Sequence, residues 1–248
     1  MAALSGTLIN CILVIIGSLA GMLFKKLLPE RLKDTLLQAV GLIVIFVGIG
    51  GVVSATLTYE DGAFGTKDTL VMILAMVFGT IIGELINIEK QLDRLGAFCQ
   101  QKLVRSDAKS TFAEGMVTAS LIFVVGAMAV VGALDNGIRG DNSTLVAKGV
   151  IDCITGMVLA STLGIGVMFS AVPVLIYQGA IALLGVYIEP YLTDTVISQM
   201  SFVGSILIFA IGINMLGIKK IKVGNMLPAI FMPIVFDLLM RAWNTIVG

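Results

Sequence analysis

The sequence predicts an all-α fold, a polytopic bundle of transmembrane helices. Of its 248 residues, 58% are hydrophobic and only 13% are charged, whereas soluble domains carry roughly 25% charged residues. The mean hydropathy is +1.04. The apolar residues fall into runs of about 17–25 residues, the length that crosses a bilayer as a helix. Strands of a transmembrane barrel would instead alternate over about 10 residues, a pattern that these runs do not show.

The apolar runs define the membrane segments, and together they predict one integral membrane domain over residues 1–248. Loops with polar and charged residues separate them. We predict about eight segments, at residues 5–24, 36–57, 69–88, 111–134, 144–168, 172–188, 197–217 and 224–245.

The loops between these segments alternate in charge. Three are rich in Lys and Arg, at residues 25–33, 90–109 and 219–222, and the alternate loops are acidic, at residues 60–68, 135–141 and 189–194. Basic loops face the cytoplasm under the positive-inside rule. All three do so if residues 144–188 cross an even number of times, which places both termini outside. Two full spans and one re-entrant pair both satisfy this condition.

A weak internal repeat relates the two ends of the chain, residues 5–88 and 172–245, with residues 111–168 linking them. Leu32-Lys33-Asp34-Thr35 precedes Val40-Gly41 much as Leu192-Thr193-Asp194-Thr195 precedes Val203-Gly204. The match pairs segments one and two with segments six and seven. An offset of five crossings inverts one copy in the membrane, an arrangement common in secondary transporters. The sequence therefore suggests an inverted-topology repeat.

The cytoplasmic loop at residues 89–109 is amphipathic. Leu92, Leu95, Phe98 and Leu103 are spaced roughly as one face of a helix. One interpretation is a helix that lies on the lipid headgroups. The alternative is an element that docks a partner protein.

Several functional classes are excluded by what the sequence lacks. Sixteen basic and sixteen acidic residues cancel, so no nucleic-acid partner is implied. The chain has no His, the commonest metal ligand and general base. It also contains no nucleotide-binding loop, metal cluster or nucleophile–base pair. We therefore expect no metal, no cofactor and no enzymatic activity.

Two acidic residues within the spans are the main candidates for a functional site. Asp152 lies roughly 12 Å in from the outer end of its helix, at about 1.5 Å per residue, and Asp237 lies at a similar depth. Together they would bind a cation or share a proton, since intramembrane acids mark ion sites. Each also has a base four residues away, Lys148 and Arg241 respectively. Local ion pairing is therefore the alternative, and separate salt bridges would overturn a site that needs both acids.

Four further polar residues complete the candidate pathway, which centres on residues 149–179. Gln178, Ser170 and Asn214 are predicted to line a polar cavity, with hydrogen bonds between helices as the alternative. Glu114, near the inner end of its segment, is predicted to gate the cytoplasmic side. Its alternative role is in a capping box with Thr111.

The chain resembles a known family through motifs spread over nearly its whole length. These are Thr111-Phe-x-Glu114-Gly115, Gly126-Ala-Met128, Asp135-x-Gly137-x-x-Gly140-Asp141, Lys148 with Asp152, Gly164-x-Gly166-Val167, Ser170-Ala171, Gln178-Gly179 and Asn225-Met-Leu-Pro228. They are similar to those of the YdfK/YqgA-like bacterial inner-membrane proteins, domain-of-unknown-function family 554. The resemblance implies a location in the bacterial cytoplasmic membrane and implies no activity.

These observations favour a small secondary transporter or channel-like protein for an ion or small solute. Its partners would be the lipid bilayer and that solute. The alternative is a membrane scaffold or regulatory protein that acts through loop 89–109. Small residues four apart, as in Gly17–Gly21, Gly79–Gly83 and Ser201–Ser205, permit close helix contacts and suggest a homodimer as well as contacts within the chain.

Overall fold

The fold is a bundle of membrane-spanning helices. The computed structural model describes residues 4–27, 30–60, 62–91, 94, 111–124 and 127–247. Within these ranges, seven helices are long and apolar enough to cross a membrane, and there are eight if one bent pair of helices is counted as a single span. The prediction of a helical bundle with about eight segments is therefore confirmed.

The helices follow the predicted apolar segments closely. They are α1 (Ser5–Leu27), α2 (Glu30–Thr56), α3 (Thr69–Ile86), α4 (Thr111–Val124), α5 (Ala127–Arg139), α6 (Ser143–Leu163), α7 (Gly166–Phe169), α8 (Ala171–Ile188), α9 (Asp194–Met215), α10 (Val223–Met226) and α11 (Met232–Val247). Two 3-10 turns, Glu189–Tyr191 and Leu227–Phe231, follow α8 and α10.

The fourth predicted segment, residues 111–134, is two helices rather than one straight span. The axes of α4 and α5 differ by 66°. Gly126 lies between them in the sequence, and glycine weakens a helix interior by about 1 kcal/mol relative to alanine. Residues 125–126 themselves lie outside the described ranges.

The region around residues 144–188 forms two long apolar helices with a break between them. Helix α6 has 21 residues and α8 has 18, so each is about 27–32 Å long, enough to cross the hydrocarbon core. Gly164 ends α6 with a φ of +77°, a conformation that glycine adopts without strain. The lengths favour two full spans over a re-entrant pair.

Glycines bring several pairs of helices into backbone contact, among them α1 with α6 and α2 with α9. A Cβ added at Gly17 or Gly21 of α1 would lie 2.1 Å from the carbonyl oxygen of Cys153 or Met157 on α6. In the second pair, a Cβ at Gly48 of α2 would lie 2.6 Å from the backbone nitrogen of Phe209 on α9. Such small-residue faces allow close helix packing. Because they are used within the chain, they lend no separate support to the homodimer, which stays a prediction.

A short antiparallel hairpin follows α2. Strands β1 (Leu57–Glu60) and β2 (Ala63–Thr66) pair in the register Leu57 with Thr66. Gly62, with a φ of +79°, lies in the two-residue connection, where the sequence Asp-Gly is a strong hairpin signal. The prediction of an all-α chain missed this hairpin.

Contacts between loops agree with the predicted alternation of sides. Lys222 and Glu84, at the ends of two basic loops, form an ion pair of 2.7 Å. At the other end, the Gly6 N–H donates to Asn136 Oδ1 at 3.1 Å, and the Arg241 guanidinium lies 5.7 Å from the Tyr191 ring. Both termini therefore lie beside acidic loops. The inverted repeat stays a prediction.

Candidate functional site

The charged residues of α6 lie in a buried cluster that we call the polar core. It consists of Asn10 on α1, Lys148 and Asp152 on α6, and Gln178 on α8. Their exposed fractions are 0%, 5%, 5% and 0% respectively. Buried charges are tolerated when they are paired and hydrogen-bonded.

Within the polar core, the two charges neutralise each other. Lys148 Nζ and Asp152 Oδ2 form an ion pair across one helical turn. The Lys148 ammonium also lies 6.0 Å from the centre of the Phe123 ring, within the range of a cation–π interaction. The local ion pair predicted as the alternative for Asp152 is therefore present.

Two amides complete the polar core and join α1 to α8. Asn10 Nδ2 donates to Gln178 Oε1 at 3.2 Å. Helix α6 approaches Asn10 closely, since a Cβ at Gly149 would lie 3.2 Å from Asn10 Cα. Within the described part of the chain, Asn10 Oδ1, Gln178 Nε2 and the nearby Thr7 Oγ1 make no hydrogen bond. Gln178 thus joins α8 to Asn10 on α1, and α1 in turn packs against α6, which carries the ion pair.

Ser170 is buried but bonds locally. Its hydroxyl donates to the Val167 carbonyl at 2.6 Å, a backbone bond typical of Ser at a helix boundary. The adjacent Ala171 carbonyl accepts from Cys11 Sγ at 3.5 Å. Ser170 therefore stabilises the break between α7 and α8.

A cavity of about 430 Å³, which we call the vestibule, opens at the end of the bundle that carries the basic loops. Helix α4, the end of α9 and the start of α10 form its walls. Its polar lining residues are Glu89, Glu114, Thr118, Asn214, Lys219 and Lys220. Both signs of charge therefore face one aqueous space.

Two of the predicted site residues line the vestibule. Glu114 is exposed on α4, and Lys220 lines the same cavity. Asn214 fixes the loop after α9 to the end of that helix. Its Nδ2 donates to the Ile221 carbonyl at 2.8 Å, and its Oδ1 accepts from the Ile221 N–H at 2.7 Å. Asn214 therefore has both a structural role and a surface on the cavity.

A second space of about 250 Å³, which we call the cleft, adjoins the vestibule. Val117 lines both. The walls of the cleft are almost wholly apolar, with hydroxyl groups only at Ser120, Tyr177 and Ser201 among the described residues that line it. The Ser120 hydroxyl already donates to the Met116 carbonyl at 2.5 Å.

A shallow groove extends the cleft along α8 toward the opposite side. Pro173, Tyr177 and Phe231 line both the cleft and this groove, which reaches Ile188 at the end of α8. Vestibule, cleft and groove therefore follow one another across the bundle, and we call them together the track. They lead from the basic loops to an acidic one.

Three interruptions of helix meet at the cleft. Val124 is the last residue of α4, Pro173 lies in the first turn of α8, and the 3-10 turn Leu227–Phe231 separates α10 from α11. Broken helices frame the binding sites of many secondary transporters, near the middle of the bilayer. The cleft lies at such a convergence.

Beside the vestibule, a set of polar contacts that we call the latch joins α3 to the start of α10. Glu84 accepts from Lys222 Nζ at 2.7 Å and from Asn225 Nδ2 at 2.5 Å, while Glu89 Oε2 accepts from the Gly224 N–H at 2.8 Å. The Glu84 carboxylate raises the pKa of Lys222. Lys222 therefore stays charged throughout the neutral pH range, and the latch holds there.

Asp237 lies apart from Asp152. It forms its own ion pair with Arg241 on α11, at 2.6 Å. Each acid is thus neutralised by the base four residues away, as the alternative predicted. The described contacts do not assemble a site from the two acids.

The track includes residues that the sequence did not single out. Thr118 and Leu121 lie four and seven residues after Glu114, so all three share one face of α4. That spacing is the sequence signal from which Thr118 and Leu121 could have been predicted. The other residues that line the track come from segments distant in the sequence, and no sequence pattern indicates that these segments lie next to one another.

Comparisons with known proteins place the chain among membrane proteins of unassigned function. The family described as "Protein of unknown function (DUF554)" matches residues 5–238. The chain is 33% identical over 239 residues to the uncharacterised membrane protein YdfK of Bacillus subtilis (strain 168), covering 96% of this chain and 98% of YdfK. It is 31% identical over 241 residues to the uncharacterised protein YqgA of Escherichia coli (strain K12), with coverage of 96% and 98%. No solved structure matches.

Proposed function

Because the chain belongs to the DUF554 family, as its motifs indicated, and that family has no assigned function, we propose one from the geometry. The protein is a small secondary transporter or channel-like protein that moves an ion or small solute across the bacterial cytoplasmic membrane. It is not an enzyme. Its vestibule faces the cytoplasm and both termini lie outside, as the positive-inside rule requires.

The observation that carries this proposal is that the three cavities of the track are neighbours that share wall residues. A charged cavity at one end leads through shared wall residues to a cleft between broken helices, and then to a groove that reaches the other end. Non-helical backbone at membrane depth is tolerated where it is buried in protein or lines a cavity. The three helix interruptions are therefore tolerated at membrane depth because they line the cleft.

The proposal shifts the pathway from the polar core to the track. Pro173 and Tyr177, within the region 149–179, line the cleft. Glu114 and Asn214 serve at the cytoplasmic mouth. Asp152, Gln178 and Ser170 support the helices behind it, and Asp237 lies outside the pathway.

The scaffold alternative depends on loop 89–109, of which residues 92–93 and 95–109 lie outside the described ranges. The described contacts of Glu89 point inward, to Gly224 and Asn225. They favour a wall of the vestibule over a surface for a partner protein.

The test is a flux measurement on purified protein in liposomes with a panel of small cations, anions and neutral and zwitterionic solutes. Val117→Trp places an indole where vestibule and cleft meet, and should slow the transported solute at least about tenfold, since interiors leave no room for the added volume. Ile154→Trp is the matched control because Ile154 is 59% exposed on the outer face of α6. It should transport normally.

Two results would contradict the proposal. One is that the unaltered protein moves no solute of the panel. The other is that Val117→Trp and Ile154→Trp transport equally well, which would place any pathway elsewhere.

A further inference from the structure

We propose that the solute is a zwitterion with an apolar side chain, of the α-amino-acid type. This inference rests on the proposed function, since it names the class of solute that the track would carry. The ammonium and carboxylate groups would lie in the vestibule, and the side chain would enter the cleft past Val117.

The charges of the vestibule fit a solute that carries both signs. Glu114 and Lys220 face the same space, whereas the Glu89 carboxylate is engaged by the Gly224 N–H. Lys219 lines the same space, so two acids and two bases surround it. A simple cation or anion would be attracted by one sign of charge and repelled by the other. A zwitterion pairs with both, and Thr118 and Asn214 supply neutral polar surface beside them.

The cleft argues against a bare ion. Its few hydroxyl groups leave a wall of side chains such as Leu121, Met200 and Ile230. An ion that entered would lose its hydration shell without replacement, at a cost of several kcal/mol or more. An apolar side chain is instead stabilised by leaving water.

The distance between the vestibule, where the charged groups would lie, and the cleft fits a short side chain. Glu114, Thr118 and Leu121 follow one another on α4, so the charged and apolar walls are separated by about one to two helical turns, roughly 5–10 Å. The cleft volume of about 250 Å³ holds one branched or aromatic side chain.

The experiment measures thermal stability of the purified full chain in a non-ionic detergent, because a ligand that binds the folded state raises its melting temperature. The probes are L-leucine and L-phenylalanine. Three partial analogues are compared with leucine: isopentylamine lacks the carboxylate, 4-methylpentanoate lacks the ammonium, and glycine lacks the side chain. We expect the two complete amino acids to stabilise the protein and each partial analogue to stabilise it less at equal concentration.

Variants connect the effect to the vestibule. Glu114→Gln and Lys220→Met should each weaken leucine binding about tenfold, as expected for the loss of one charged contact. Asp68→Asn and Lys67→Met make the same changes beside the hairpin, at the opposite end of the bundle, and should bind leucine normally.

The inference is overturned if an analogue with one charge stabilises as well as leucine, or if only inorganic ions or zwitterionic lipid vesicles do so. The flux panel separates this failure from that of the proposed function. If another solute is transported and Val117→Trp blocks it, the solute class is wrong and the pathway stands. If leucine binds through Glu114 and Lys220 but no solute crosses, the inferred ligand is supported and transport is refuted.

Discussion

The polar core and the track place charged residues in the same membrane bundle in opposite ways. In the polar core, Lys148 and Asp152 are sealed beneath helices whose backbones touch. In the vestibule, Glu114 and Lys220 face an open cavity of about 430 Å³. The difference shows that a charge within an apolar segment does not by itself mark a pathway.

What separates the two regions is the packing of their helices. Gly17 and Gly21 let α1 lie against α6 beside the ion pair, since Gly17 meets the backbone of Cys153, the residue after Asp152. Around the cleft, helices are interrupted and larger side chains hold them apart. Tight packing favours a fixed structural role, whereas broken helices leave room for a solute.

The largest effect on stability should come from separating the charges of the polar core. Asp152→Asn leaves the Lys148 ammonium buried without its partner, and such a loss typically costs about 3–5 kcal/mol. The double variant Lys148→Met/Asp152→Asn should recover most of that loss because no isolated charge remains. Unfolding by denaturant in mixed micelles would measure both. An equal loss of unfolding free energy in the single and the double variant would contradict the interpretation of Lys148 and Asp152 as a buried ion pair. The polar core would then no longer differ from the vestibule in this respect.

A smaller effect should follow from loosening the contact between α1 and α6. Gly17→Ala forces a Cβ to within 2.1 Å of the Cys153 carbonyl oxygen, and overpacking of this kind costs about 1–3 kcal/mol. Gly50→Ala is the matched control on α2, since a Cβ there meets nothing within 4 Å. It should stabilise the helix by about 0.5–1 kcal/mol. The same unfolding experiment tests whether the two substitutions differ in sign, and the packing argument fails if they do not.

Local spacing accounts for what the sequence predicted well. Apolar runs located the helices, and the separation of four residues identified the base that pairs with Asp152. The contact between Asn10 and Gln178 joins residues 168 positions apart, and no local pattern specifies such a partner. The sequence therefore singled out Gln178 as a polar residue without indicating that it meets Asn10.

The cleft was hidden from the sequence for a related reason. Its walls combine α4, α8, α9 and the 3-10 turn after α10, and their residues are individually ordinary apolar side chains. The angle of 66° between α4 and α5 depends on how the helices pack rather than on one residue type. Glu114 and Asn214 were predicted to line a pathway because they are polar residues in apolar segments. The apolar residues of the cleft do not differ from other apolar residues of the spans, so the sequence did not distinguish them.

The smallest effect isolates burial as the cause of the difference between the two acids. Asp237 and Arg241 have the same spacing as Lys148 and Asp152, but their side chains are 26% and 44% exposed. Arg241 lies six residues before the end of α11 (Met232–Val247), so its guanidinium can reach the membrane interface once Asp237 is replaced. Asp237→Asn should therefore cost about 1 kcal/mol or less, as for other incompletely buried ion pairs. Measured beside Asp152→Asn, this variant makes the same substitution at the same spacing of four residues from a base, while the burial of the ion pair changes. A cost equal to that of Asp152→Asn would mean that another surface covers Asp237 in the folded protein, and exposure would no longer explain why the two ion pairs differ.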